Sequence, residues 1–296
     1  MGKRYFVLNN ANLKTYNSMR LDAVAADLIV PACADGAAEA FDDYAGRGVI
    51  IVGNGSNIIF SKRRYETPIL VTQMLNSIEF RDGVIHADAG VSLSRVAWFA
   101  AEHHVEGFEY LEDIPGSIGG ALYMNAGTNE GSVGNLIVSA TVYDPGKRQT
   151  LTLGEAELSS SWGYRDSYFR YNPCFIISCG LRADRLNARG YGAILEKMLS
   201  TKMKRYMKQP RNFPSAGSVF KRPYVNGEPR YIWKLFDEAG LRGYRIGDAQ
   251  VSEKHPGFII NRGAATGEDI LRLLNHCKET VKDRCGIILE EEWKIL

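Results

Sequence analysis

Five short stretches of the 296-residue chain carry residue types that could do chemistry. The first, Val52-Gly53-Asn54-Gly55-Ser56-Asn57, follows an apolar run. Its glycines bring bare backbone N–H groups within reach of a phosphate, because glycine lacks a Cβ and accepts positive φ. It is not the dinucleotide fingerprint G-x-G-x-x-G, since the third glycine position is Ile58 and no helix pattern begins there. A tight turn and a phosphate cradle both fit this stretch taken alone. The second runs from Ile114-Pro115-Gly116-Ser117-Ile118-Gly119-Gly120-Ala121 to Met124-Asn125-Ala126-Gly127. Such small residues describe backbone that something flat or phosphorylated approaches, or equally a helix packed close to a sheet.

The third stretch, Gly163-Tyr164-Arg165-Asp166-Ser167-Tyr168-Phe169, sets an arginine among tyrosines. Its planar fork suits a carboxylate, with Asp166 to orient it, although a structural Arg-Asp pair fits the same residues. The fourth, Pro214-Ser215-Ala216-Gly217-Ser218-Val219-Phe220-Lys221, places Ser218 after a glycine. Ala216 and Phe220 occupy the glycine positions of a G-x-S-x-G elbow, so a serine hydrolase is poorly supported. The fifth is Leu289-Glu290-Glu291-Glu292-Trp293, in a strand predicted over residues 287–296. Alternation puts Glu291 on the face of Ile287, Leu289, Trp293 and Ile295, and Glu290 and Glu292 on the other. It leaves open which carboxylate enters a site and whether the run is a solvated edge.

The elements that would position these residues alternate at first between strand and helix. Strands are predicted at 27–30 and 48–52 and a helix at 35–45, and Asp82-Gly83 turns a hairpin over 78–88. A helix capped by Ser92 buries Leu93, Val96, Ala97 and Ala100 and ends near His103-His104. Strands at 137–142, 150–153 and 174–179 form a mixed sheet. The helix pattern over 193–207 carries Lys197, Lys202, Lys204 and Arg205, read as a solvated basic face, and breaks at Gln209-Pro210. A last helix from Thr266 to Arg284 has a capping box at Thr266 and Asp269 and a stop at Gly286.

Composition bounds the partners. A formal net charge of +2 falls short of the basic excess of a nucleic-acid binder. The five cysteines (Cys33, Cys174, Cys179, Cys277, Cys285) include no C-x-x-C pair, which indicates neither a disulfide framework nor a zinc site and suits a reducing cytoplasm. No signal-like segment and no apolar run of 18 residues occurs, so no membrane partner is expected, and from the cysteine pattern no metal is expected.

Taken together, the five stretches resemble, in order and spacing, the UDP-N-acetylenolpyruvoylglucosamine reductases over nearly the whole chain. The family's flavin-binding sequences look like G-x-G-S-N at Gly53 to Asn57, I-P-G-S-x-G-G-A at Ile114 to Ala121 and M-N-A-G at Met124 to Gly127. Y-R-x-S-x-F matches Tyr164 to Phe169, A-G-S-x-F-K matches Ala216 to Lys221, and L-E-x-E matches Leu289 to Glu292. The uninterrupted run into Ala249-Gln250-Val251-Ser252 is similar to the shorter of the family's two types.

The resemblance implies an α+β protein: a PCMH-type FAD-binding fold of two α/β subdomains, at 1–72 and 73–200, and an α+β substrate-binding domain at 201–296 whose terminal strand returns toward the flavin. FAD contacts are expected from Gly53, Asn54, Gly55, Ser56, Asn57, Pro115, Gly116, Ser117, Gly119, Gly120 and Asn125. NADPH would reduce FAD, and the flavin would pass hydride to the β-carbon of UDP-N-acetylglucosamine enolpyruvate. Arg165 would hold the substrate carboxylate, Ser218 protonate the α-carbon, and Glu292 assist as a protonated carboxyl. Tyr164, Lys208, Lys221, Arg222 and His255 complete the implied substrate contacts, and a cytoplasmic monomer is expected.

Three departures bear on substrate fit more than on flavin binding. Asp22-Ala23 replaces a glycine pair, Arg222-Pro223 replaces asparagine before proline, and Gly127-Thr128-Asn129-Glu130 replaces the usual G-A-Y-G. Two competing readings are another FAD-dependent oxidoreductase of the same fold and a non-catalytic paralogue that binds UDP-sugar or FAD.

Overall fold

The computed structural model describes residues 2–159, 161–188 and 190–296. Their contacts gather into two units: the chain up to Ala11 with Ala25–Asn54 and Glu66–Arg205, and Asn12–Val24 with Gly55–Tyr65 and Tyr206–Leu296. The expected partition at residues 72 and 200 is contiguous in sequence. The observed one is not, because residues 12–24 and 55–65 join the C-terminal unit.

The first unit holds two sheets. In one, Tyr5–Asn12, Val24–Pro31, Ile69–Val71 and Ile50–Val52 lie side by side in that order. Ile69–Val71 runs parallel to both neighbours, with Val71 opposite Val52. The helix Ala34–Asp43 covers it with Ala37, Ala40 and Phe41, in one apolar cluster with Ile29 and Leu70. The other sheet is antiparallel and ordered Gln149–Gly154, Ile137–Asp144, Phe175–Arg182, Val84–Asp88, Ile78–Arg81. Its hairpin turns at Asp82 (φ 52°) and Gly83 (φ 73°), both left-handed, as the Asp-Gly pair predicts. The helix Leu93–Glu102 starts at Ser92, whose hydroxyl accepts from the Arg95 N–H at 3.2 Å. Residues from both sheets share a core around Phe41, Tyr143 and Phe175, which makes them one unit.

The basic helix pattern is Tyr191–Lys208, and its positive face is not simply solvated. Lys197 pairs with Glu109 (3.5 Å), Lys202 with Glu112 (2.9 Å) and Arg205 with Asp113 (3.4 Å), and Glu109 and Glu112 are almost fully buried. Buried carboxylates need such partners, and the pairs fix the segment leading into Ile114-Pro115-Gly116.

In the second unit, Ser215–Ser218, Phe258–Asn261, Ala249–Val251 and Arg245–Ile246 form an antiparallel sheet in that order. Helices Ile232–Glu238 and Gly267–Cys285 cover it, and Phe220, Leu235, Phe236, Leu274 and Trp293 fill the core. Each such side chain contributes roughly 1.5–3 kcal/mol by leaving water. The longer helix has the predicted ends: Thr266 and Asp269 form a reciprocal capping box, and Gly286 closes it at φ 67°.

The terminal strand is a correction. Only Lys294–Ile295 is a strand, parallel to Ile58–Ile59. Upstream, the backbone bonds change partner segment: Lys221 N–H to Glu290 O, Glu292 N–H to Val219 O, then Lys294 N–H to Asn57 O. The expected strand is thus reduced to an isolated bridge, Phe220 to Glu291, and the two-residue strand Lys294–Ile295.

Candidate active site

The glycine motif is divided between the units, with Gly53 and Asn54 in the first and Gly55, Ser56 and Asn57 in the second. Its two glycines meet different neighbours. A Cβ at Gly53 would collide with the Ser117 hydroxyl and lie 3.9 Å from Thr72 Oγ1. Both hydroxyls are buried and lack a hydrogen-bond partner among the described residues. Two such groups aimed at a bare backbone are suited to an acceptor-rich ligand such as a phosphate. Gly55 (φ 61°) instead lies under the backbone of Tyr16 and Asn17, where a Cβ would come 2.7 Å from Asn17 Cα. Its carbonyl accepts from Ser18 N–H (3.1 Å) and Oγ–H (3.2 Å).

The second glycine cluster divides similarly. Gly119 donates its N–H to Ala89 O (2.9 Å), and an added Cβ would press to 3.1 Å on Ala89 Cβ, so this glycine serves packing. Gly120 is exposed, and an added Cβ there would meet only Ser117 Oγ, at 3.8 Å. Pro115 and Gly116 lead into the helix Ile118–Met124, which Asn125 ends in a left-handed conformation. Asn125 directs its amide at the protein: Nδ2 donates to Gly163 O (2.7 Å) and Oδ1 accepts from Gly134 N–H (3.1 Å).

Gly163 and Asp166 exchange backbone hydrogen bonds at 3.1 and 3.2 Å, which leaves Tyr164 and Arg165 as a two-residue tip. Arg165 takes φ 56°, and its guanidinium lies 5.1 Å from the Tyr164 ring centroid. A bulky residue in that region costs about 1–3 kcal/mol and persists only where its surroundings impose it. Asp166 stiffens the turn through Tyr171 Oη–H (2.9 Å) and Arg170 (3.5 Å).

In the second unit Ser218 is half-buried at the end of an irregularly paired strand, and among the described residues its hydroxyl makes a long 3.4 Å contact to Phe220 O. Glu292 lies against the same segment. Its N–H donates to Val219 O (2.9 Å), and its carbonyl accepts from Asn57 Nδ2 (2.9 Å). Thus Asn57, the Ser218 segment and Glu292, from three distant motifs, come together within one unit. Trp293 locks the arrangement by donating Nε1–H to Ala216 O (2.8 Å). The neighbouring acids are engaged elsewhere, Glu290 with Lys221 and Glu291 with Lys278 (2.7 Å).

Among the remaining expected substrate contacts, Arg222 lies over the Tyr231 ring at 4.8 Å. His255 is pressed edge-on against Phe258, and its Nδ1 accepts from Gly257 N–H at 3.2 Å. Burial, reinforced by Arg242 and Lys208, pushes its pKa below the usual histidine value. Asp22, at the first departure, forms an exposed ion pair with Lys14 (3.0 Å). No cluster of three metal-ligating side chains occurs among the described residues. Thr72 is absent from the sequence reading. Its signal was the apolar run Ile69-Leu70-Val71, whose parallel pairing with Ile50–Val52 puts Thr72 level with Gly53.

Residues 28–152 match the FAD binding domain family, and residues 209–296 match the family described as UDP-N-acetylenolpyruvoylglucosamine reductase, C-terminal domain. The chain is 34% identical over 302 residues to the UDP-N-acetylenolpyruvoylglucosamine reductase of Petrotoga mobilis, covering 97% of this chain and 95% of that one. It is 37% identical over 245 residues to the enzyme of the same name from Thermotoga maritima, covering 83% of each. The crystal structure of the Thermus caldophilus reductase superposes with a TM-score of 0.80 at 26% identity, covering 99% of this chain and 98% of that one. The orphan hydroxyls of Ser117 and Thr72 facing Gly53 fit the FAD that the matched domain implies. With its α+β fold of an FAD-binding domain and a C-terminal domain, the chain belongs to the UDP-N-acetylenolpyruvoylglucosamine reductase family.

Proposed function

We propose that this protein reduces the enolpyruvyl group of UDP-N-acetylglucosamine enolpyruvate to give UDP-N-acetylmuramate, a step of peptidoglycan synthesis, using FAD and NADPH. The observation that carries the reading is the meeting of Asn57, the Ser218 segment and Glu292 in one unit. The backbone that carries a carboxyl-bearing and a hydroxyl-bearing residue is there held to Asn57, the last residue of a motif expected to contact the flavin.

FAD, when bound, supplies the hydride equivalent for the β-carbon. The residues manage the charge this leaves at the α-carbon. Arg165 grips the substrate carboxylate with a delocalised cation, and its hold strengthens as negative charge spreads onto that group. Ser218 Oγ delivers a proton to the α-carbon. A serine hydroxyl is a weak acid, yet an enolate-like carbanion is more basic, so placement matters more than a tuned pKa. Glu292 assists at the same carbon. Lys208 and Arg222 offer positive charge for the diphosphate, and Lys221 can do so by exchanging Glu290 for it.

The five cysteines are all unpaired thiols, and no helix among the described residues is long and apolar enough to cross a membrane. The free thiols suit the reducing cytoplasm of this reading. The test is NADPH oxidation by the FAD-loaded protein with and without the enolpyruvyl UDP-sugar. Stoichiometric formation of UDP-N-acetylmuramate is expected, whereas turnover stimulated only by a different alcohol, lactone or hydroxy acid would overturn the proposal.

A further inference from the structure

We infer that Asn125 is the positioning residue for Arg165, acting through the Gly163–Asp166 turn, and that its side chain does not serve the flavin. The inference rests on the function proposed above.

Asn125 is 6% exposed and ends the helix Ile118–Met124 with φ 43° and ψ 57°. Its two amide bonds have opposite polarity, Nδ2–H to Gly163 O and Gly134 N–H to Oδ1. Turning the amide over would face donor to donor and acceptor to acceptor, so the orientation is fixed. The Gly163 carbonyl also accepts from Asp166 N–H, the bond that closes the turn. Asn125 therefore holds the same oxygen on which the tip carrying Arg165 is hinged. The other leg is tied to the same helix end, because Ser167, fully buried, donates Oγ–H to Tyr123 O at 2.8 Å. Behind the turn, Trp162 lies so close on Gly134 that an added Cβ would come within 2.7 Å of its ring, which seals the second partner of the amide.

Few residues fill this role. The position needs a left-handed backbone, a donor for Gly163 and an acceptor for Gly134. Glycine offers only the first, aspartate the first and third, and asparagine all three. The helix that begins beside Gly119-Gly120 thereby sets, from its far end, the aim of the arginine that receives the substrate carboxylate.

The experiment compares Asn125→Gly, Asn125→Asp, Arg165→Lys and the Asn125→Gly/Arg165→Lys double variant, each loaded with FAD. FAD affinity is read by flavin fluorescence on titrating apoprotein, and kcat and KM with the enolpyruvyl UDP-sugar. We expect both Asn125 variants to keep FAD affinity within about twofold while kcat/KM falls about tenfold or more. On the Arg165→Lys background the Asn125→Gly change should cost less than about threefold, because the aim it corrects no longer matters. Three outcomes overturn the inference: a tenfold loss of FAD affinity, full additivity with Arg165→Lys, or failure of both Asn125 variants to fold. If the unaltered protein does not turn over the sugar, the functional reading fails first and the inference with it.

Discussion

The two units hold the side chains proposed to act in the reaction by opposite means. In the first, Arg165 stands at positive φ on a turn tip, and the Ser117 and Thr72 hydroxyls are buried without partners among the described residues. In the second, the chain at Ser218 and Glu292 is pinned by backbone hydrogen bonds, the Asn57 amide and the Trp293 indole. In the proposed mechanism, strain and unanswered polarity fall on the groups assigned to receive a ligand's charge, and stiffness on those assigned to deliver a proton.

This contrast can be broken by substitution. Arg165→Ala should lower kcat/KM for the enolpyruvyl sugar by about 10³, with FAD content preserved, because the cation is the partner of the developing charge. Loss of FAD in this variant would assign the arginine to the cofactor instead. Ser218→Ala should slow substrate reduction by about 10² or more in single-turnover stopped flow while NADPH still reduces the flavin. Equal slowing of both half-reactions would remove the proton-donor role.

The neighbouring glycines sharpen the comparison. Gly55→Ala drives a Cβ into the Tyr16-Asn17 backbone at positive φ, and should cost about 3 kcal/mol in denaturant unfolding. Gly53→Ala meets mainly a serine side chain that can rotate, so its loss of stability should stay near 1 kcal/mol while FAD affinity drops about tenfold. Reversed outcomes would exchange the two roles.

The smallest effect concerns His255, whose folded pKa lies below its unfolded value. Above about pH 6.5 the ring is neutral in both states and contributes no pH dependence. As pH falls through that value the unfolded chain binds the proton more readily, so stability declines until the folded pKa is passed. Thermal unfolding from pH 7.5 to 5.5 should show this loss, and His255→Gln should lack it.

Much of this was legible in the sequence where the determining chemistry is local. Thr266, Asp269 and Gly286 fix the ends of Gly267–Cys285, and Asp82-Gly83 fixes its hairpin, because each acts on residues within a turn of itself. What stayed hidden depended on partners distant in sequence. Nothing local separates Gly119, packed on Ala89, from Gly120, which is exposed. Nothing local shows that the amide of Asn125 meets Gly163, 38 residues away. Alternation in the tail sorted Ile287, Leu289 and Trp293 to the buried face and Ile288 to the exposed one, but Ile295, expected on the buried face, is exposed, and the backbone's change of partners was not visible. The edge strand Tyr5–Asn12 escaped because its second half is N-N-A-N and its Phe6 and Leu8 face outward.

The left-handed backbone of Arg165 has an evolutionary consequence. The residues that adopt this shape most cheaply, glycine, asparagine and aspartate, carry no positive charge. Selection for heat resistance alone would therefore favour replacing the arginine by asparagine, and under the proposed mechanism that variant would lose its activity. If Arg165 holds the substrate as proposed, robustness and usefulness pull in opposite directions at this position, and a stabilised library screened without an activity filter should fill with inert survivors there.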